Sequence, residues 1–311
     1  MSCIDIWDCF ENEPPPLDFA FGNMLAGTVG GLVSPGGVGK TFMVMGIATS
    51  ICAGFDMTRG ALSSKQIGKM LYVNAEDPAS ALKIRFNRLG RYLSLEQRML
   101  LRDNFSVESC VGETIWLMDE NGNPVQERID WLTRLGEGKR LIVLDTLRRV
   151  HLADEDKATP MTVLLTIFEG IARNTGASVL FTHHANKASV SSGNGDTQGA
   201  SRGSSVLTDN ARFQLNMSKM CRKEAEKYGV DESDRWKFVK INSAKVNNNE
   251  ETGEIWLRRN AGGILTRADS FKTKVVDIQS KPKSIPTLNT EIDTPMKGVV
   301  HVVTENPWKK R

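Results

Sequence analysis

The stretch Gly30-Gly31-Leu32-Val33-Ser34-Pro35-Gly36-Gly37-Val38-Gly39-Lys40-Thr41 constrains this chain more than any other. It reads as a short apolar strand, a glycine-rich turn, then a helix from Thr41 to about Ala53. The phosphate-loop pattern G-x-x-x-x-G-K-[ST] aligns with Ser34 in first place and Gly39-Lys40-Thr41 at its end. Glycines let backbone N–H groups converge on phosphate oxygens, and the helix presents its positive end at the same point. Lys40 would reach the β- and γ-phosphates of a nucleotide, and the Thr41 hydroxyl would hold Mg²⁺. Serine replaces the first glycine of the pattern, but Gly36, Gly37 and Gly39 still supply the tight turn, with Pro35 and Val38 completing it. ATP and Mg²⁺ are the expected cofactors.

With 311 residues, 40% of them apolar, the chain can form one large α/β domain with appendages or two small domains. A net charge of +3 is too mild to predict a nucleic-acid partner. The five cysteines are scattered without a CxxC pair, which argues against a zinc site or a disulfide framework and suits a reducing cytosol. No apolar run is long enough to span a bilayer, and acids stand where a signal peptide carries bases. A cytoplasmic location with no membrane partner is expected.

Residues 2 to 13 read as a short amphipathic helix with Ile4, Ile6, Trp7 and Phe10 apolar, stopped by Pro14-Pro15-Pro16. Such an arm either packs on its own domain or is offered to a neighbour. Residues 69 to 75 form a β-rich run ending in Glu76-Asp77-Pro78, and a helix follows. Acids at the end of a buried strand beside a phosphate site can orient an attacking water. Glu76 is assigned that chemistry, and Asp77 the cap of the helix beginning at Pro78. Residues 105 to 135 are less regular, with a helix from Gln126 to Leu135.

The apolar run Leu141-Ile142-Val143-Leu144 ends in Asp145, whose carboxylate is placed to reach Mg²⁺ through water. A helix from Thr162 to Asn174 leads to a strand at Ser178–Thr182 ending in His183-His184. Adjacent strand residues point to opposite faces. One histidine can therefore sense the γ-phosphate while the other packs. Residues 185 to 205 are rich in Gly and Ser and carry Lys187 and Arg202. They are either a bland surface loop or a loop over a nucleic-acid strand. Val206 to Met217, Trp236 to Ala244 and Glu254 to Arg258 read as a strand meander with a turn at Asn247-Asn248-Asn249; residues 218 to 235 read as a charged surface helix.

The ordered segments GTVGGLVSPGGVGKT, YVNAEDP, LIVLDTLRRVH, FTHHANK and ASRGSSVLTDNAR resemble the RepA replicative helicases of IncQ-type broad-host-range plasmids. The likeness runs from about Pro14 to Thr266, and that family shares the serine at the first position of the loop. The resemblance implies a RecA-like P-loop fold: a mostly parallel twisted sheet flanked by helices, with antiparallel C-terminal strands. It implies ring-shaped homohexamers that hydrolyse ATP between subunits, move on single-stranded DNA and unwind forked DNA for plasmid replication. A plasmid initiator and a primase are the further partners it suggests.

Carried over by residue, Gly39, Lys40 and Thr41 match the phosphate loop, Glu76 the catalytic glutamate and Asp145 the metal-reaching aspartate. Of the histidine pair, His184 is favoured as γ-phosphate sensor, with His183 the alternative. Arg212 matches an arginine supplied by the neighbouring subunit, and Lys245 resembles a basic position that reaches the adjacent nucleotide. Lys187 and Arg202 become candidates for DNA contact, and the N-terminal arm a clasp on the next subunit. The expected organisation is an arm and proline connector over 1–16, an ATPase domain over 17–268, and a basic, flexible tail over 269–311. Two rivals remain: a RecA-like recombination or repair ATPase forming filaments, and a non-motor ATPase regulator on DNA.

Overall fold

The computed structural model describes residues 3–184, 206–246, 254–268 and 271. Among them a nine-stranded sheet forms the frame, and its middle strand is β3 (Val29–Ser34), which feeds the phosphate loop. On one side of β3 lie β7 (Ser178–His184), β6 (Leu141–Asp145), β4 (Met70–Asn74) and β5 (Phe105–Ser109), all parallel. On the other side β8 (Phe213–Lys219) also runs parallel to β3. The sheet then turns antiparallel through β9 (Phe238–Val246), β10 (Ile255–Arg259) and β11 (Leu265–Arg267). This is the mostly parallel sheet with antiparallel C-terminal strands that the family resemblance implies.

Strands β3, β4 and β6 are buried along their whole length, because helices cover both faces. In β6, Leu141 and Val143 enter one core while Ile142 and Leu144 enter the other, as the two-residue period of a strand requires. The first core is closed by α2 (Lys40–Ala53), the second by α5 (Gln126–Gly136) and α6 (Ala158–Thr175). Helix α2 is apolar on nearly every side and is buried on nearly every side, packed between the sheet and α4 (Leu95–Asn104). Gly30 and Gly31 serve β3 by lacking side chains. A Cβ on Gly30 would stand 3.0 Å from the Phe213 ring, and one on Gly31 would stand 3.0 Å from Phe181.

Several elements differ from the sequence reading. Residues 105 to 109 are a strand rather than irregular, and β5 extends the sheet by pairing with β4. Val206 opens a short helix, α7 (Val206–Asn210), not a strand, because Leu207 is needed in the core beside α6 before the chain enters β8. The charged segment after β8 gives only α8 (Arg222–Tyr228), ended by Gly229 in the left-handed conformation. Trp236 falls in the 3₁₀ turn Glu232–Lys237 and not in a strand. A small hairpin, β1 (Phe19–Phe21) with β2 (Met24–Leu25), precedes β3.

The N-terminal helix is shorter than expected: α1 (Ile6–Glu11), capped by the Asp5 carboxylate accepting from the Trp7 and Asp8 amides. Trp7 is 70% and Phe10 74% exposed, so α1 does not pack on its own domain. Of the expected tail, Phe271 is described, and its ring stacks 4.6 Å from that of Tyr228. Lys187, Arg202, the turn at residues 247–249 and the rest of the tail lie outside the described residues.

Candidate active site

The phosphate loop bridges β3 and α2, where Gly39 is the N-cap of α2 at φ 112°, a conformation open to glycine. No side chain caps this helix, so its first-turn N–H groups are left for an external acceptor. A Cβ on Gly36 would meet nothing within 4 Å, and Gly37 also has positive φ. The loop is thus an open cradle of backbone, floored by a cavity of about 270 Å³.

Lys40 reaches into that cavity from α2 and is only 8% exposed. Burial pulls its pKa below that of an ordinary lysine, with Asp145 and Glu76 opposing the shift. Its Nζ lies 3.3 Å from His184 Nδ1, and His184 Nε2 lies 3.8 Å from Glu76 Oε1. Lys40, His184 and Glu76 therefore stand in a row along the cavity. Hydrogen bonding from His184 is the main cause holding the Glu76 carboxyl below its usual range, against the opposing effect of burial. His183 points the other way, 3% exposed, toward the side where Glu155 lies.

Asp77 does not cap the following helix. Pro78 is the N-cap of α3 (Ala79–Gly90), with no side-chain cap bond. Instead the Asp77 carboxylate accepts from Thr41 Oγ1 at 3.1 Å and from both terminal nitrogens of Arg85, Nη2 at 2.9 Å. The sharp turn after β4 carries its carboxylate back over the phosphate loop rather than along α3. Asp145, 2% exposed, accepts from Thr182 Oγ1 and from the Tyr72 hydroxyl, each at 2.5 Å. Burial raises its pKa, and those two hydrogen bonds oppose the rise.

These groups fit a nucleoside polyphosphate and a hard divalent cation. The uncapped helix, the glycine backbone and Lys40 suit phosphate oxygens. Among the described residues no cluster of three or more His, Cys, Asp or Glu could hold a metal ion. Mg²⁺ would be held by the Thr41 hydroxyl and the phosphates themselves, with Asp145 reaching it through water and Asp77 orienting the Thr41 hydroxyl.

Other sequence candidates lie elsewhere. The Arg212 amide donates to Val29 O, at the start of β3, whereas the phosphate loop leaves the far end of that strand. At about 3.3 Å per residue the six residues of β3 separate the two by roughly 15–20 Å. Arg212 is exposed there and sits too far from its own loop to act on it. Lys245, in β9, is the register partner of Gln214 in β8, near the same end of the sheet.

Three cations escaped the sequence reading. Arg85 stands eight residues beyond Asp77, two turns into a helix, a spacing that carries no motif. Arg259, at the end of β10, donates to Val38 O across 2.5 Å, and its guanidinium lies 3.2 Å from where a Gly39 Cβ would be. Lys219, at the end of β8, brings Nζ 3.8 Å from the corresponding point on Gly37. Tyr72 and Asn74, polar residues in an otherwise apolar strand beside Asp145, were the one legible signal missed. A larger cavity of about 740 Å³ adjoins the first. Arg88, Arg91, Lys237, Arg258 and Arg259 line it, with no carboxylate among the described lining residues, and it shares Phe42 and Arg259 with the phosphate site.

A phosphate loop ending the middle strand, an Asp-ended strand two places along and an antiparallel extension define a RecA-like P-loop NTPase. The chain belongs to the AAA_25 family, described as an AAA domain, whose match spans residues 4–190. It is also similar to the solved structure of the RadB recombinase, at 14% identity and a TM-score of 0.48, over 78% of this chain and 92% of that one. No helix among the described residues is long and apolar enough to cross a membrane.

Proposed function

We propose that this chain is an ATP-driven DNA helicase that works as a ring of identical subunits and opens plasmid duplexes for replication. The observation that carries the reading is the row Lys40–His184–Glu76, because His184 is also the last residue before the segment 185–205. Glu76 accepts a proton from the attacking water, and Lys40 holds the β- and γ-phosphates. His184 lies between them and changes partners when the γ-phosphate leaves. The change is passed directly into residues 185–205, where Lys187 and Arg202 meet the phosphates of a single strand. Bound Mg²⁺ supplies charge neutralisation on the β- and γ-oxygens. The base and ribose of ATP have room in the basic cavity that adjoins the loop.

The ring follows from two features at a distance from the site. Arg212 is exposed and out of reach of its own phosphate loop, so it serves a neighbour. Helix α1, with its apolar side chains in solvent ahead of Pro14-Pro15-Pro16, clasps the next subunit. Strand displacement on forked DNA tests the proposal. ATP-dependent unwinding by the wild type that is lost in Lys40→Ala supports it. ATP hydrolysis without unwinding on either 5′- or 3′-tailed forks leaves an NTPase and removes the helicase. Electron microscopy with ATP and single-stranded DNA separates closed rings from filaments.

A further inference from the structure

We propose that Arg259 is a second nucleotide-holding cation of the same chain, contacting the polyphosphate of the nucleoside triphosphate bound on the phosphate loop. The inference rests on the nucleotide-site reading and adds a residue that neither the motif nor its spacing indicates. Arg259 comes from β10, in the antiparallel extension, more than two hundred residues beyond the loop that it overhangs.

Three observations carry it. First is position: the guanidinium lies over Gly39, the uncapped first point of α2, in space that any larger residue at position 39 would fill. It lines both the 270 Å³ phosphate cavity and the adjoining 740 Å³ basic cavity, so it stands at their junction. Second is unspent capacity. A guanidinium carries five N–H donors in a rigid fork, and the hydrogen bond described here takes one of them to the Val38 carbonyl. Third is charge. Lys40 is opposed by Asp145 and Glu76, and Arg85 is paired with Asp77. Among the described residues, no carboxylate forms an ion pair with Arg259, although it is half-buried.

A mere strut for the loop does not explain this arrangement. Hydrogen bonding to one carbonyl needs an amide or a hydroxyl, whereas desolvating an uncompensated guanidinium is costly. An anion from outside the chain compensates it, and a planar fork suits phosphate oxygens. Arg259 thereby differs from Arg212: it acts within its own subunit and on binding, before any neighbour is engaged.

The decisive variant is Arg259→Gln, whose amide can still donate to Val38 O but carries no charge. Steady-state ATP hydrolysis is measured together with competition by ADP and by adenosine, and with thermal melting. The expected result is a KM for ATP raised about ten- to hundredfold, as for loss of a hydrogen bond to a charged group. The kcat changes little, ADP competes more weakly in the same proportion, and adenosine and the melting temperature are unaffected. Arg259→Lys, which restores charge without the fork, falls between the two. An unchanged KM in Arg259→Gln overturns the inference, and so does an equal loss for adenosine, which would place the contact on the nucleoside. A lowered melting temperature with wild-type KM assigns Arg259 to loop support and also overturns it. Should the wild type itself fail to bind ATP, the nucleotide site falls with it. If the wild type hydrolyses ATP and Lys40→Ala does not, only the role of Arg259 is at stake.

Discussion

The Thr41 hydroxyl donates to Asp77 Oδ2 across 3.1 Å, and Arg85 grips both oxygens of the same carboxylate. The residue expected to hold Mg²⁺ is thus already tied to an acid that belongs to the strand β4 turn. Asp77 sets where the Thr41 oxygen points before any nucleotide arrives, and Arg85 sets Asp77.

Asp77→Asn should therefore disturb the metal more than the chemistry. We expect the Mg²⁺ concentration for half-maximal ATPase to rise about tenfold, in line with the loss of an outer partner of a metal ligand. Glu76→Gln should instead lower kcat by about 10²–10⁴ at any Mg²⁺ concentration, because the amide accepts no proton. A Mg²⁺ titration of both variants distinguishes the roles, and a larger kcat loss in Asp77→Asn would reverse them.

Lys40 is held charged in a buried place, and its lowered pKa gives the sign of its effect on stability. The unfolded chain, with a lysine pKa near 10.4, holds this proton more tightly than the fold does. The charge consequently works against folding at neutral pH, and the penalty fades as pH rises from the folded pKa toward the unfolded one. Lys40→Met should unfold at a higher urea concentration than the wild type at pH 7, with the gap closing toward pH 10. Its ATPase should fall below about one-hundredth of wild type, as for loss of one transition-state donor.

Tyr72 holds Asp145 Oδ2 at 2.5 Å and takes a hydrogen bond from Asn74 Nδ2 at 2.8 Å. Tyr72→Phe leaves a fully buried carboxylate short of a donor, at a cost of about 1–3 kcal/mol. Urea denaturation measures it, and a loss within error would show that Thr182 and Asn74, the other donors to this carboxylate, satisfy Asp145 without Tyr72.

Arg212 lies at the opposite end of β3 from its own phosphate loop, so its activity should be rescued between subunits. Arg212→Ala and Lys40→Ala proteins should each be inactive, the first by roughly 10³-fold or more. Mixed into one assembly, they should regain ATPase activity, since Lys40→Ala subunits lend an intact Arg212 to neighbours with working loops. With subunit exchange verified by fluorescence transfer, absence of rescue at every ratio would remove Arg212 from the site.

Local pattern alone carried much of this protein. The phosphate loop, the buried strand ending in Asp145 and the opposite facing of His183 and His184 follow from residue order and the period of a strand. Apolar runs such as Leu141-Ile142-Val143-Leu144 fit a strand buried on both faces, whereas the mostly parallel frame was implied by the likeness of the ordered motifs to a known family. Backbone geometry decides these features over a few residues, so they are visible in one dimension.

What needed the fold were contacts between residues far apart in the chain. Asp77 reads as a helix cap because Asp before Pro is a favoured start, but the turn after β4 brings its carboxylate to Thr41, 36 residues earlier. Arg259 has no motif at all and reaches the phosphate loop only because β8, β9 and β10 fold back beside β3. Arg212 and Lys219 are seven residues apart, yet β8 carries one away from the phosphate loop and the other to its tip. Strand direction and sheet order determine which end of a strand a side chain occupies, and both are set by long-range pairing. The sequence determined which loop would hold a phosphate. Only tertiary packing decided which cations and carboxylates surround it, because their positions depend on the order in which distant strands join one sheet.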